Sequence, residues 1–175
     1  MTQRESATSP PIILIGLGAN LPSPAHGAPR ATLTAALGRF EAVGLHVAAR
    51  SRWYESEPVP KSAQPNFVNA VARVETALTP AGSMAVLQRI EKEFGRVTGE
   101  RNAARCIDLD LIAYGDTVTS GETVPILPHP RMHERAFVLL PLRDIAPRWY
   151  HPFLGVSIDQ LIDRLPPQQV AWPIA

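Results

Sequence analysis

Apolar residues along the chain repeat with period two in some stretches and with helical period in others. Residues 12–18 are a short apolar run, read as a buried first strand that closes in a glycine turn, Gly16-Leu-Gly-Ala-Asn20. From about Ala31, the positions of Leu33, Ala36, Leu37 and Phe40 follow a helix, and Gly44 stops it. Residues 45–54 read as a second strand and 55–64 as a turn-rich loop. Residues 66–75 alternate: Phe67, Asn69 and Val71 share one face, and Val68, Ala70 and Ala72 the other. Thr79-Pro80 is a helix start, with Met84, Leu87, Ile90 and Phe94 at helical spacing and Gly95 as the end. After a polar loop over 96–104, residues 105–115 alternate again.

The remaining pattern is more broken. Residues 117–119 resemble a short strand, and 124–131 form a proline-stiffened loop that presents His129. Residues 132–145 read as a helix with Phe137, Leu140 and Ile145 inward and Pro141 marking a break or a first turn. Ser157 caps a last short helix whose Ile158, Leu161 and Ile162 face inward. The order β-α-β-β-α-β, followed by extra elements, is the ferredoxin-like signature of the α+β class: an antiparallel-rich sheet with helices packed on it. One domain is expected over 12–165, with a disordered tail at 1–11 and an irregular tail at 166–175.

Composition narrows the classes. The chain has 175 residues, 45% hydrophobic and 19% charged, an ordinary globular profile. A net charge of +1 offers no broad electrostatic surface to nucleic acid or to a membrane. The one cysteine, Cys106, excludes an internal disulfide framework and a cysteine-rich zinc site. No run is long enough to span a bilayer, and the first residues lack the apolar stretch of a signal peptide. A cytoplasmic protein is expected. The 18 prolines fall mostly between the periodic segments, which points to long shaped connections.

Candidate chemistry centres on Arg105-Cys-Ile-Asp-Leu-Asp-Leu111. As a strand it puts Ile107, Leu109 and Leu111 on the core face and Asp108 with Asp110 on the other, their Cα atoms roughly 6.6 Å apart. Two carboxylates this close repel unless a cation intervenes. Oxygen donors suit a hard ion, Mg²⁺ before Zn²⁺, and magnesium held by one or two carboxylates is usually completed by substrate phosphates. Arg105 beside the pair would hold such an anion from its other side. A solvated acidic face on a half-exposed strand would show the same alternation, so both readings stand at this point. Asn69 is a poor strand former. Its amide either serves a neighbouring loop or reads a heterocycle on which Phe67 stacks. Glu91, near a helix end, reads as solvated. The glycines at 16 and 18 make neither a dinucleotide fingerprint nor a Walker A loop, because the third glycine and the Gly-Lys-Ser/Thr are missing.

Read in order, Gly18-Ala-Asn20, Gln64-Pro-Asn-Phe-Val-Asn69, Gln88-Arg-Ile-Glu91, Gly95-Arg96, the Arg105–Leu111 segment, Pro128-His129 and Arg135-Ala-Phe-Val-Leu-Leu-Pro-Leu142 resemble the 6-hydroxymethyl-7,8-dihydropterin pyrophosphokinases of folate biosynthesis. The resemblance covers residues 13 to about 152. It implies Mg²⁺-dependent transfer of pyrophosphate from ATP to the pterin hydroxymethyl, with release of AMP. It also implies two Mg²⁺ ions on Asp108 and Asp110, which with Arg96 and Arg105 form the catalytic set. Ser56, Val59, Phe67, Asn69 and Phe137 would take the pterin. Glu91, Arg96, Arg105, Ile112, His129 and Arg135 would lie against ATP. No dedicated general base is expected, since metal coordination acidifies a hydroxyl. A monomer is expected, binding ATP and the pterin and neither nucleic acid nor membrane. From the length, no fused dihydropteroate synthase domain is expected.

Three departures accompany the resemblance. Arg101-Asn-Ala-Ala-Arg105 stands where the family often has Arg-Trp-Gly-Pro-Arg, in a loop that closes over the site, so closure is expected to be weaker or to use other contacts. Ala19 replaces a Ser or Thr, and Pro130 replaces a frequent aromatic. From the residues alone two other classes stay open. One is a different Mg²⁺-dependent phosphoryl- or nucleotidyl-transfer enzyme, and the other a non-catalytic binding domain of the same fold.

Overall fold

The computed structural model describes residues 11–96, 105–121 and 123–175. The expected disordered tail therefore lies, but for Pro11, outside the described residues. At the centre is strand β1 (Ile13–Ala19), flanked antiparallel by β4 (Phe67–Glu75) and β5 (Asp108–Tyr114). β2 (His46–Arg50) and β3 (Trp53–Ser56) pair with opposite ends of β4. With β6 (Ala171–Ile174) at one edge, the sheet runs β5-β1-β4-β3-β6, and β2 lies beside β3 on the edge of β4. Counting β2 and β3 as one broken strand, this is the ferredoxin-like order expected from the pattern.

The break within 45–54 has a local cause. Buried Ser51 donates its N–H to Val71 O at 2.9 Å, and its hydroxyl accepts from Val71 N at 3.0 Å, so a side chain replaces one rung of the ladder. A second difference lies at the end of the chain. Residues expected to be irregular form β6 (Ala171–Ile174), which pairs antiparallel with β3. Pro173 is tolerated there because, among the described residues, β6 is the outer edge of the sheet, with no further strand to need its missing N–H. Residues 117–119 form no strand. Thr119 instead clasps Leu127, through N–H to O at 2.9 Å and through its hydroxyl to Leu127 N at 2.8 Å.

Each face of the sheet carries helices. Helix α1 (Pro29–Leu37) and α2 (Pro80–Glu93) cover one face, where Ile13, Ile15 and Leu17 meet Leu33, Leu87 and Ile90. Thr79 caps α2 by accepting from Gly82 N at 3.1 Å. On the other face lie α3 (Ala136–Ile145) and α4 (Ile158–Asp163), packing Val138, Leu139 and Leu142 against Leu14, Val71 and Ile112. Each fully buried aliphatic side chain contributes about 1.5–3 kcal/mol. The expected helix over 132–145 is thus a short 3-10 turn (Met132–Glu134) followed by α3. Its inward set also differs: Leu140 is half-buried and outside the cluster, while Phe137 stands at its margin. Ser157 caps α4 in a reciprocal box with Gln160, as its position suggested.

α3 is tied to β3 by a polar clamp. Asp144 accepts from Arg52 Nε at 3.0 Å, Arg52 N–H at 3.1 Å and Tyr54 OH at 3.1 Å. Burial works against the Asp144 carboxylate, but these hydrogen bonds hold its pKa below the ordinary value. A depressed carboxyl stabilises the fold above the roughly 3.9 of an unfolded aspartate. That stabilisation is lost as pH falls through the lower folded value. Thermal midpoints recorded from pH 6 to 3 are therefore expected to fall more steeply below about pH 4 for the unaltered chain than for Asp144→Asn. Parallel curves would remove Asp144 from the acid response.

Candidate active site

The sheet face beneath the N-terminal end of α3 is left open, and the register explains why. Asp108, Gly18 and Asn69 stand side by side across β5, β1 and β4, and Asp110, Gly16 and Val71 form the next row. The two glycines put no side chain between the carboxylates and the amide. A Cβ on Gly16 would come within 3.1 Å of Ile112 Cδ1, and one on Gly18 within 3.4 Å of Asn69 Oδ1. The sequence suggested a glycine turn here. Both glycines instead lie inside β1 and form the floor of a cavity of about 540 Å³.

One end of the cavity is aromatic and amide-lined. Buried Asn69 donates to Ser56 Oγ at 3.0 Å and more weakly to Phe67 O at 3.4 Å. Its Oδ1 accepts no hydrogen bond among the described residues. Phe67 from β4 and Phe137 from the first turn of α3 both line the cavity, as do Ser56 at the end of β3 and exposed Val59 from the loop that follows. All five residues assigned to the pterin from the resemblance thus line one cavity.

The other end is charged. Asp108 Oδ1 lies 3.0 Å from Arg105 Nη1 and 3.0 Å from Arg96 Nη1. Burial, and then the charge of Asp110, push the Asp108 pKa up against both guanidiniums. Asp110 makes no ion pair among the described residues and faces the cavity. A cation placed here would relieve the repulsion that raises Asp108. Among the described residues no third acidic, His or Cys ligand completes a protein cage. Arg96 does not line the cavity but reaches it through Asp108. Burial lowers its pKa, and the Asp108 and Glu91 carboxylates more than offset this. Glu91 is not solvated, contrary to the pattern. It is buried, accepts from Leu109 N at 2.6 Å and pairs with Arg96.

Three further polar groups close this end. His129 accepts from Arg131 N at its Nδ1, 3.2 Å away, which leaves the hydrogen on Nε2. Burial, with Arg135 and Arg131 nearby, lowers its pKa to about 4, so at neutral pH it is an uncharged donor. Arg135 packs its guanidinium 5.4 Å from the Phe137 ring centre. Arg131, which the sequence reading passed over, also lines the cavity, and among the described residues it pairs with no carboxylate. Ile112 contributes apolar wall. Among the described residues, Arg105, Arg131 and Arg135 in the cavity wall and Arg96 behind Asp108 thus surround two carboxylates with guanidiniums, the charge arrangement of a site for a metal-bound polyanion.

Asn20 is a second residue that the sequence left without a role. Buried at the end of β1, it accepts from Arg105 N at 2.8 Å and donates to Gln64 Oε1 and Pro65 O, each at 3.1 Å. It braces the loop at the amide end to the segment that carries Arg105. Residues 101–104, where the family's Trp and Pro are missing, lie outside the described residues.

The arrangement has relatives. A family model described as 7,8-dihydro-6-hydroxymethylpterin-pyrophosphokinase matches residues 14–147. The chain belongs to this family. A 2-amino-4-hydroxy-6-hydroxymethyldihydropteridine pyrophosphokinase of Haemophilus influenzae is 41% identical over 133 residues, 75% of this chain and 79% of that one. Folic acid synthesis protein fol1 of Pneumocystis carinii is 40% identical over 153 residues, 87% of this chain, yet the chain spans only 20% of that protein's length. Among solved structures, a Plasmodium falciparum HPPK-DHPS variant with pterin and p-hydroxybenzoate superposes with a TM-score of 0.71 at 14% identity, covering 91% of this chain and 44% of that one. At that identity the likeness concerns the fold. The pyrophosphokinase family therefore accounts for both the sheet order and the motif order.

Proposed function

We propose that the chain transfers the β,γ-pyrophosphoryl group of ATP to 6-hydroxymethyl-7,8-dihydropterin, yielding the pterin diphosphate and AMP. The carrying observation is the row Asp108–Gly18–Asn69. Strands lie about 4.8 Å apart, so the amide and the carboxylate sit roughly 10 Å from each other across a floor without side chains. A bicyclic pterin read at its amide edge by Asn69 and stacked between Phe67 and Phe137 spans much of that distance. Its hydroxymethyl group then lies at the acidic end. There the acceptor oxygen bonds to the β-phosphorus, the bond from that phosphorus to the α,β-bridging oxygen breaks so that AMP leaves with that oxygen, and the hydroxyl proton passes to solvent.

Asp108 and Asp110 fit Mg²⁺, two ions by family likeness, because they offer only oxygen and leave most of the coordination to phosphate and water. When bound, the ions neutralise phosphate charge and lower the pKa of the acceptor hydroxyl. The chain's own groups do the positioning. Arg105, Arg131 and Arg135 donate to phosphate oxygens, His129 adds a neutral Nε2–H, and Glu91 keeps Arg96 aimed at Asp108. The same reading makes the protein a monomer of the cytoplasm with no nucleic-acid or membrane partner. Among the described residues no helix is long and apolar enough to cross a membrane.

The test is product identity. The purified chain is mixed with ATP, Mg²⁺ and 6-hydroxymethyl-7,8-dihydropterin, and the nucleotides are separated. Pterin-dependent AMP is expected. ADP would mean single phosphoryl transfer, and no nucleotide turnover with pterin bound would mean a binding domain. Either result overturns the proposal.

A further inference from the structure

The acceptor end of the cavity is completed by a residue outside the segment that defines the family. The family model ends at residue 147, yet Gln169, in the segment between α4 and β6, lines the same cavity as Phe137. The first turn of a helix carries backbone N–H groups with no partner inside the helix. In α3 the residue at the N-cap, Arg135, supplies no side-chain cap. Gln169 does so from a distance: its Oε1 accepts from Ala136 N at 3.2 Å. Gln169 is itself held, because its N–H donates to Pro166 O at 2.8 Å and the chain beyond it is fixed in the sheet as β6.

Phe137 directly follows the capped residue. Its ring is only half-buried, and it meets the Arg135 guanidinium on one side and the cavity on the other. The ring packs only along the margin of the buried cluster on that face, so packing alone does not fix it. Its orientation depends on the first turn of α3 being formed, and that turn depends on the cap. We propose that Gln169 is a positioning residue of the acceptor pocket, which holds Phe137 ready to stack on a flat heterocycle. This inference rests on the pterin reading of that pocket. The acting atom is the side-chain carbonyl oxygen, so glutamate can replace glutamine and alanine cannot.

The experiment measures equilibrium binding of 6-hydroxymethyl-7,8-dihydropterin by its fluorescence and of Mg²⁺-ATP separately, on the full chain. Gln169→Ala is expected to weaken pterin binding about three- to tenfold, the scale of a lost cap, with nucleotide affinity unchanged. Gln169→Glu restores pterin binding to within about twofold of the unaltered chain. In a Phe137→Ala background, itself weakened at least as much, Gln169→Ala has no further effect, because the two act as one unit. Unchanged pterin binding in Gln169→Ala overturns the proposal, as does equal loss of both ligands. Gln169→Glu binding as weakly as Gln169→Ala, or a full additional loss in the double variant, also overturns it. If the unaltered chain binds no pterin at all, the reading of the pocket falls and this proposal falls with it.

Discussion

Asp110→Ala is expected to turn over at least about a thousandfold more slowly than the unaltered chain, a loss near 4 kcal/mol of transition-state stabilisation, while still binding the pterin. The two aspartates differ in what already holds them. Asp108 is engaged by Arg96 and Arg105, whereas Asp110 has no ion pair among the described residues and stands over Gly16 facing the cavity. Asp110 is therefore the carboxylate free to accept a cation without first displacing an arginine. Removing it also takes away the charge that helps push up the Asp108 pKa, so Asp108 ionises more easily and settles further into its arginine pairs. The variant would keep a neutralised, well-packed acidic end with no open ligand. The acceptor end, built on Asn69, Phe67 and Phe137, is untouched. Rates of pterin-dependent AMP release and pterin affinity, measured side by side, decide the matter. A rate within tenfold of the unaltered chain would remove Asp110 from catalysis, and an equal loss of rate and pterin binding would indicate a folding defect.

What could be read from the sequence was the alternation of each strand, and with it the face on which a residue falls. That was enough to put Asp108 with Asp110 and Phe67 with Asn69, and the motif order brought in Phe137, His129, Arg96, Arg105 and Arg135. What alternation cannot convey is the partner a side chain meets from elsewhere in the chain. Asn20 looked like the end of a turn, yet its amide bridges Pro65 and Arg105, 45 and 85 residues away. Arg131 follows a proline in a loop with no periodicity, so nothing marked it as a cavity residue. Gly16 and Gly18 were visible as glycines, but their use as floor depends on the register of β1 against β5, which no local signal carries. β6 was missed for a simpler reason: four residues containing a proline hold too little pattern to compete with an irregular tail.

Glu91 was misread in the same way, and it leads to the largest expected stability effect. A glutamate in the last turn of a helix is ordinarily solvated. Here α2 ends against β5, and Glu91 Oε1 takes both the Leu109 N–H and the Arg96 guanidinium. Burial, the leading influence, raises its pKa, while the Leu109 N–H and the Arg96 charge oppose the rise. Glu91→Ala orphans a buried N–H in the strand that carries both aspartates and deprives Arg96 of its buried partner. Breaking a buried pair usually destabilises by about 3–5 kcal/mol. Arg96 keeps part of its solvent and can still lean on Asp108, so a loss of about 2–4 kcal/mol is expected. Glu91→Gln retains an acceptor for Leu109 N–H and is expected to lose roughly half as much. Urea unfolding gives the comparison directly, provided the denaturant dependence is the same in each variant. The order unaltered, Gln, Ala supports the bridging role. If Glu91→Ala unfolds within about 0.5 kcal/mol of the unaltered chain, the carboxylate is not holding α2 to β5, and the positioning of Arg96 beside Asp108 must come from elsewhere.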